Sequence, residues 1–215
     1  MTGRVLLAGA TGLVGNALLR RLLDDPQRPE VVALGRRAPQ LQSPRLRFLA
    51  TEFSALPAQA PVPADAAYCA LGTTIRAAGS QAAFTAVDLD AVTAFATFAR
   101  RSGARRFMLV SALGADPGSR VFYSRIKGEA ERAVAALGFE AVHIARPSLL
   151  LGDRAESRPG ERLGQCLFRG LRPLLLGPLR PLRAVPADEV AARLIAAAHS
   201  DTSGVQHHRF GGSAA

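Results

Sequence analysis

Tyr123 and Lys127 are the residues of this chain whose types and spacing speak most directly of chemistry. On a helix they stand at i and i+4, on one face and a turn apart, which puts a phenol beside an ammonium. A phenol with a pKa near ~10 is a poor acid–base catalyst at neutral pH. A neighbouring cation favours the phenolate and brings that pKa toward the working range. Lys127 is also singular in composition: 27 Lys plus Arg, less this one lysine, leaves 26 arginines. Codon bias explains the arginines. Where arginine serves for every generic positive charge, the surviving lysine marks a place that needs a compact ammonium rather than a planar fork. Ser111, twelve residues before Tyr123, ends an apolar strand run and can hydrogen-bond a substrate carbonyl. Singly these are a helix aromatic, a solvated charge and a strand-end cap; together, behind a nucleotide-binding turn, they favour catalysis.

That turn is Gly9-Ala10-Thr11-Gly12-Leu13-Val14-Gly15, spaced G-x-x-G-x-x-G between an apolar strand run and a helical one. One glycine permits the tight turn, one lets backbone N–H groups approach a pyrophosphate, and one lets the helix pack closely on the strand. About twenty residues on, where an NAD-preferring fold places a carboxylate on the ribose 2′-hydroxyl, the sequence reads Leu34-Gly35-Arg36-Arg37. Arg36 and Arg37 suit a 2′-phosphate, so NADP (NADPH) is favoured over NAD; two solvated loop arginines are the plain alternative.

The elements that must position these residues follow from apolar periodicity. Strand runs fall at 5–8, 31–34, 46–50, 66–70, 107–110 and 141–145. Helical stripes fall at 13–23, 81–101 (Phe84, Val87, Ala91, Phe95, Phe98), 121–137 (Phe122, Ile126, Ala130, Ala133, Leu137) and 187–199, with Pro57 to Pro63 as a loop. Alternating buried strands and amphipathic helices predict an α/β fold, a Rossmann-type doubly wound parallel sheet with a small C-terminal appendage. The 215 residues form a single domain, 1–215, with 146–215 contributing a substrate-side lobe.

Gly9 to Gly15, Ser111 and the Tyr123/Lys127 pair, in this order, resemble the short-chain dehydrogenase/reductase superfamily over nearly the whole chain. Further motifs narrow the likeness: Leu71-Gly72-Thr73-Thr74, Phe84-Thr85-Ala86-Val87-Asp88, Val110-Ser111-Ala112-Leu113-Gly114-Ala115-Asp116, residues 123–129, Arg146-Pro147-Ser148 and Asp153-Arg154. These resemble atypical members of the Tat-interacting-protein type, whose bacterial relatives carry labels such as NAD(P)-binding oxidoreductase or nucleoside-diphosphate-sugar epimerase. The resemblance implies NADPH held by Gly9, Thr11, Gly12, Leu13 and Val14, by Arg36 and Arg37, and by Leu71, Gly72 and Thr73. It also implies Tyr123 and Lys127 on the nicotinamide ribose, Pro147 near the nicotinamide, and a catalytic trio of Ser111, Tyr123 and Lys127. Many relatives carry an Asn on the helix before strand five; the corresponding stretch here reads Val87-Asp88. The C-terminal part is shorter than the sugar-nucleotide region of true epimerases.

Composition narrows the alternatives. With 48% hydrophobic and 20% charged residues the chain is ordered, and no apolar run approaches the ~18–20 residues of a membrane span. The N-terminal apolar stretch is shorter than a signal-peptide core, so a cytoplasmic protein is expected. Net charge is +10, but the arginines are scattered and aromatics are only 6%, so no nucleic-acid partner is expected. Cys69 and Cys166 are read as reduced thiols, and no metal site is expected. His143 reads as a structural strand histidine, His207-His208 as strand surface, and Asp188 as capping or opening the last helix. Arg154 and Arg158, in the loop 153–160, suit either an anionic substrate or solvent. The functional expectation is an NADP-dependent oxidoreductase transferring a hydride to or from a small carbonyl or alcohol. The alternative is an NADPH-binding regulatory or redox-sensing protein with little turnover, and a protein partner or homodimer stays open.

Overall fold

The computed structural model describes residues 3–27, 29–148, 150–151 and 184–210. Strands β1 (Arg4–Ala8), β2 (Glu30–Gly35), β3 (Leu46–Ala50), β4 (Ala66–Cys69), β5 (Arg106–Val110) and β6 (Ala141–Arg146) alternate with helices, as the apolar runs require. The helices are α1 (Leu13–Asp24), α2 (Ile75–Ala78), α3 (Gln81–Thr85), α4 (Ala91–Arg101), α5 (Phe122–Ala135) and α6 (Ala187–Ala198). Strands β7 (Leu150–Leu151) and β8 (Val185–Pro186) pair with each other, and β9 (Gly204–Arg209) closes the main sheet, which runs β3-β2-β1-β4-β5-β6-β9 with every pair parallel.

Side chains alternate across the strands and so feed two cores. Val5, Leu7, Val31, Ala33 and Tyr68 pack with α1 and α6 on one face. Leu6, Ala8, Val32, Phe107 and Ile144 pack with α4 and α5 on the other. The strand order reverses at β1, between β2 and β4, which opens a crevice at the carboxyl ends of the strands where ligands of such sheets bind. Register puts the strand exits at one edge, since Ala8 lies opposite both Leu34 and Cys69, and Cys69 opposite Leu109. Gly9, Arg36, Leu71 and Ser111 therefore all leave the sheet on the side of the crevice.

One element departs from the periodic reading. The expected helix 81–101 is interrupted by a π-helical turn, Ala86–Asp90, between α3 and α4. A π turn inserts one residue, so the buried positions slip by one: Asp88 and Val92 face inward, where simple periodicity put Val87 and Ala91. The stretch Gln81–Arg101 is long and apolar enough to cross a membrane by length and composition, yet Phe84, Phe95 and Phe98 are wholly buried in the core of this sheet.

Of the C-terminal region, α6 packs on α1 and β9 extends the sheet beside β6. Pro186 stands at the N-cap position of α6 without a capping side-chain bond, and Asp188 opens the helix from its first turn, where it accepts from Arg21 Nε of α1 at 2.7 Å. Residues 152–183 lie outside the described residues, and with them the loop 153–160, Arg154, Arg158 and Cys166. His143 is buried on β6, its Nδ1 3.1 Å from His208 Nε2 on β9. Burial, then the charge of His208 and Arg106, pushes the His143 pKa down to about 4. The folded protein thus keeps this imidazole neutral while the unfolded chain takes up a proton near pH ~6.5, so stability falls as pH drops from about 6.5 toward about 4. Urea midpoints measured across that window should decline for the wild type and decline less for His143→Gln; equal slopes would remove His143 as the cause.

Candidate active site

The glycine turn is built by close backbone contact. Gly9 has φ +83°, and a Cβ there would lie 2.5 Å from the Ala70 carbonyl oxygen in the loop after β4. At Gly15 a Cβ would lie 1.9 Å from the Gly9 carbonyl oxygen, so only glycine lets α1 start against the end of β1. Gly12 is the N-cap of α1 and its N–H donates to Gly9 O at 2.9 Å, but it brings no side chain to cap the helix. The first-turn N–H groups of Leu13 and Val14 have no intrahelical acceptor, and Thr11 and Gly12 are exposed beside them. The result is a bare helix N-terminus at the sheet's crevice, suited to a pyrophosphate. Arg36 and Arg37 are exposed just past the end of β2.

Across the crevice, α5 carries Tyr123 and Lys127. The helix is held down at Gly128, where a Cβ would lie 2.2 Å from Pro117 N and 2.3 Å from Asp116 C. Lys127 is buried, and its Nζ lies 2.7 Å from Oδ1 of Asp88, which is itself wholly buried on the π turn. Asp88 Oδ2 accepts the Thr73 N–H at 2.9 Å. Gly72 roofs this pair, since a Cβ there would stand 3.4 Å from both Asp88 Oδ1 and Lys127 Nζ. One carboxylate therefore joins the loop of Leu71, Gly72 and Thr73 to α5. Ser111 Oγ is buried without a hydrogen-bond partner among the described residues, in a narrow crevice that Asp88, Val92, Lys127 and Ala130 also line. Beyond the strand ends the β5–β6 ladder continues: Ser111 N–H donates to Ala145 O and Leu113 N–H to the carbonyl of buried Pro147, both at 2.8 Å.

The electrostatics correct one expectation. Tyr123 is half-buried, its ring centroid 5.5 Å from that of Phe84. Burial raises its phenol pKa, Lys127 lowers it and Asp88 raises it again, with a net rise. The lysine does pull in the expected direction, but its charge is matched by Asp88, so desolvation wins. The thiol of Cys69, on β4 beneath the same pair, is pushed up to about 12 by its burial. The sequence marks Asp88 only as standing where many relatives carry an Asn, without its pairing to Lys127, and it does not single out Gly128. A carboxylate inside an apolar helical stretch and a glycine next to the lone lysine were the available signals. The sequence also leaves unmarked Glu131 of α5, buried, which accepts from Arg146 Nε at 3.0 Å and so fixes the end of β6 just before Pro147.

The sequence pattern of the NAD(P)H-binding family matches residues 9–162. The chain belongs to this family. Within it, the protein is an atypical short-chain dehydrogenase/reductase, similar to Protein HTATIP2 from Rattus norvegicus, with 37% identity over 172 residues that cover 78% of this chain and 71% of that protein. It is also similar to Protein FMP52, mitochondrial, from Eremothecium gossypii, with 36% identity over 203 residues, 91% of this chain and 88% of that one. Among solved structures, MoeE5 in complex with UDP-glucose and NAD superposes with a TM-score of 0.73 at 19% identity, over 97% of this chain and 76% of that chain. A double mutant of DesIV, a dTDP-glucose 4,6-dehydratase from Streptomyces venezuelae, with NAD and DAU bound, superposes at 0.74 and 21% identity, over 98% of this chain and 76% of that chain. At these identities the likeness is one of fold, and it is the Rossmann-type fold expected.

The seat of α5 is testable through the sign of one substitution. In an open helix Gly→Ala stabilises by up to ~1 kcal/mol. At Gly128 the added methyl meets backbone, so Gly128→Ala should instead destabilise by about 1–3 kcal/mol in urea titrations. A gain in stability would show that α5 is not pinned there.

Proposed function

We propose that this protein is an NADP-dependent oxidoreductase that transfers a hydride between the cofactor and a small carbonyl or alcohol. The observation that carries this reading is the buried Ser111 Oγ, which lacks a partner among the described residues and shares a crevice with Lys127 at the carboxyl edge of the sheet. A buried hydroxyl in that condition needs an explanation, and a substrate oxygen supplies one. The cofactor, when bound, supplies the hydride. Gly9, Thr11, Gly12, Leu13 and Val14 offer it backbone N–H groups and space, and Leu71, Gly72 and Thr73 border it from β4. Tyr123 Oη donates a proton to the carbonyl oxygen, and Ser111 Oγ donates a hydrogen bond that orients the same oxygen. Lys127 would hold the nicotinamide ribose of the bound cofactor, and Pro147 would lie near its nicotinamide. A net-raised phenol pKa suits a proton donor that must be protonated when a carbonyl arrives. Nucleotide sugars, bound by the distant structural relatives, are not proposed as substrates here, since the shared feature is the fold.

NADPH should bind at least about tenfold more tightly than NADH, or roughly 1.4 kcal/mol, a modest demand on charge-assisted phosphate contacts from Arg36 and Arg37. Calorimetry on the wild type and on Arg36→Ala with Arg37→Ala tests this, and equal affinities for the two cofactors would overturn it.

A screen of aldehydes, ketones and quinones, followed by NADPH absorbance, tests the chemistry. Tyr123→Phe should keep the fold and NADPH affinity while cutting turnover by ~10²-fold or more. Lys127→Arg should lose turnover and part of the NADPH affinity although net charge stays at +10, because a planar head does not fit where a compact ammonium does. Tight NADPH binding with no turnover on any substrate would favour the regulatory reading instead.

A further inference from the structure

The Asp88–Lys127 pair is built at some cost. Asp88 is wholly buried and Lys127 nearly so, and a buried charge is tolerated only when paired and hydrogen-bonded. Both conditions are met separately, with one carboxylate oxygen on Lys127 Nζ at 2.7 Å and the other on the Thr73 N–H at 2.9 Å. The carboxylate reaches this position only because the π turn rotates it inward, and such single π turns gather at functional sites. An asparagine of the same shape would accept from Thr73 equally well. At the other oxygen, however, an asparagine would turn an N–H2 donor toward the Lys127 ammonium, so the carboxylate adds both a second acceptor and a charge.

That charge acts on Tyr123, one helical turn before Lys127. The charged groups that face its phenol are Lys127 from its own helix and Asp88 from the π turn; α3 contributes the Phe84 ring, and the pair also bears on the buried thiol of Cys69 from β4. Seen from the phenol, a lysine locked to a carboxylate is a short dipole rather than a cation, and the field of a dipole falls off faster with distance. We propose that Asp88 is a positioning residue: by pairing with Lys127 it offsets the pull of that cation on Tyr123, so that the half-buried phenol stays in its protonated, proton-donating form and the site is biased toward carbonyl reduction. In that direction the carbonyl carbon gains a hydride with its electron pair from reduced cofactor, and the C=O π pair moves to oxygen. Tyr123 Oη then protonates that oxygen and is itself reprotonated from solvent. The products are alcohol and oxidised cofactor. Alcohol oxidation needs the tyrosinate at the start and so belongs to alkaline pH.

The directional claim rests on Tyr123 being the proton donor proposed above, but its electrostatic basis can be read without any substrate. The chain has no tryptophan and two tyrosines; burial raises both phenols, but Tyr68 is wholly buried in β4 whereas Tyr123 is half-buried beside Lys127. The first tyrosinate transition in ultraviolet absorbance therefore belongs to Tyr123, and its loss in Tyr123→Phe verifies the assignment. Asp88→Asn should move this transition down by about one pH unit or more, Lys127→Gln should move it up, and the double variant should return it close to the wild-type position. An unmoved or raised transition in Asp88→Asn overturns the inference. Should Asp88→Asn not fold, the comparison of Lys127→Gln with the double variant isolates the same carboxylate, and equal transitions in those two overturn it as well. A protein that shows these shifts but reduces no carbonyl would refute the oxidoreductase reading and leave the electrostatic assignment standing.

Discussion

A carboxylate with no access to water has to be answered by its surroundings, and in this protein the answer organises the site. Asp88 draws Lys127 from α5 and the Thr73 amide from the loop after β4 onto one side chain, so three segments distant in sequence meet at a single group. Everything placed by those segments inherits the arrangement. Tyr123 is set by the turn of helix that precedes Lys127, Gly72 by its place over the pair, and the Ser111 crevice by the wall that Asp88 and Lys127 form.

Such a pair is a poor source of stability, because desolvating two charges offsets most of their attraction. The fold is held instead by the two apolar layers, where the rings of Phe95, Phe107 and Phe139 meet in tilted contacts on one face and Leu18, Leu22 and Leu194 pack on the other. The division of labour is physical. Non-directional burial fixes the sheet and helices, and the directional, costly interaction is reserved for the place where geometry at the scale of a hydrogen bond matters.

The same division decides what could be read from the residues alone. Strands such as β1, β2 and β6 and helices such as α1 and α5 are legible because burial leaves a period in the sequence. The Gly9–Gly15 turn is legible because backbone contact leaves glycine as the one possible residue at two of its positions. The inward turn of Asp88 leaves no such trace. A π turn has no strong sequence signature, and a constant helical period places Val87 inside in its stead. Gly128 is silent for a related reason: a glycine in a helix announces a close approach without saying what approaches, and its neighbour Pro117 lies in a loop whose path no periodicity fixes. Lys127 was singled out by its rarity, but rarity carries no sign of the partner that changes its electrostatic meaning.

The contact between Gly9 and the Ala70 carbonyl has a mechanical consequence. At that point the two walls of the nucleotide crevice touch backbone to backbone, with no side chain between them to act as a cushion. Close-packed peptide groups are stiff, and here they abut the strand ends of a parallel sheet paired at every register. The crevice at this depth behaves as a rigid mould whose shape exists before anything enters it, and any adaptation to a ligand must take place further out, toward the rims of the loops.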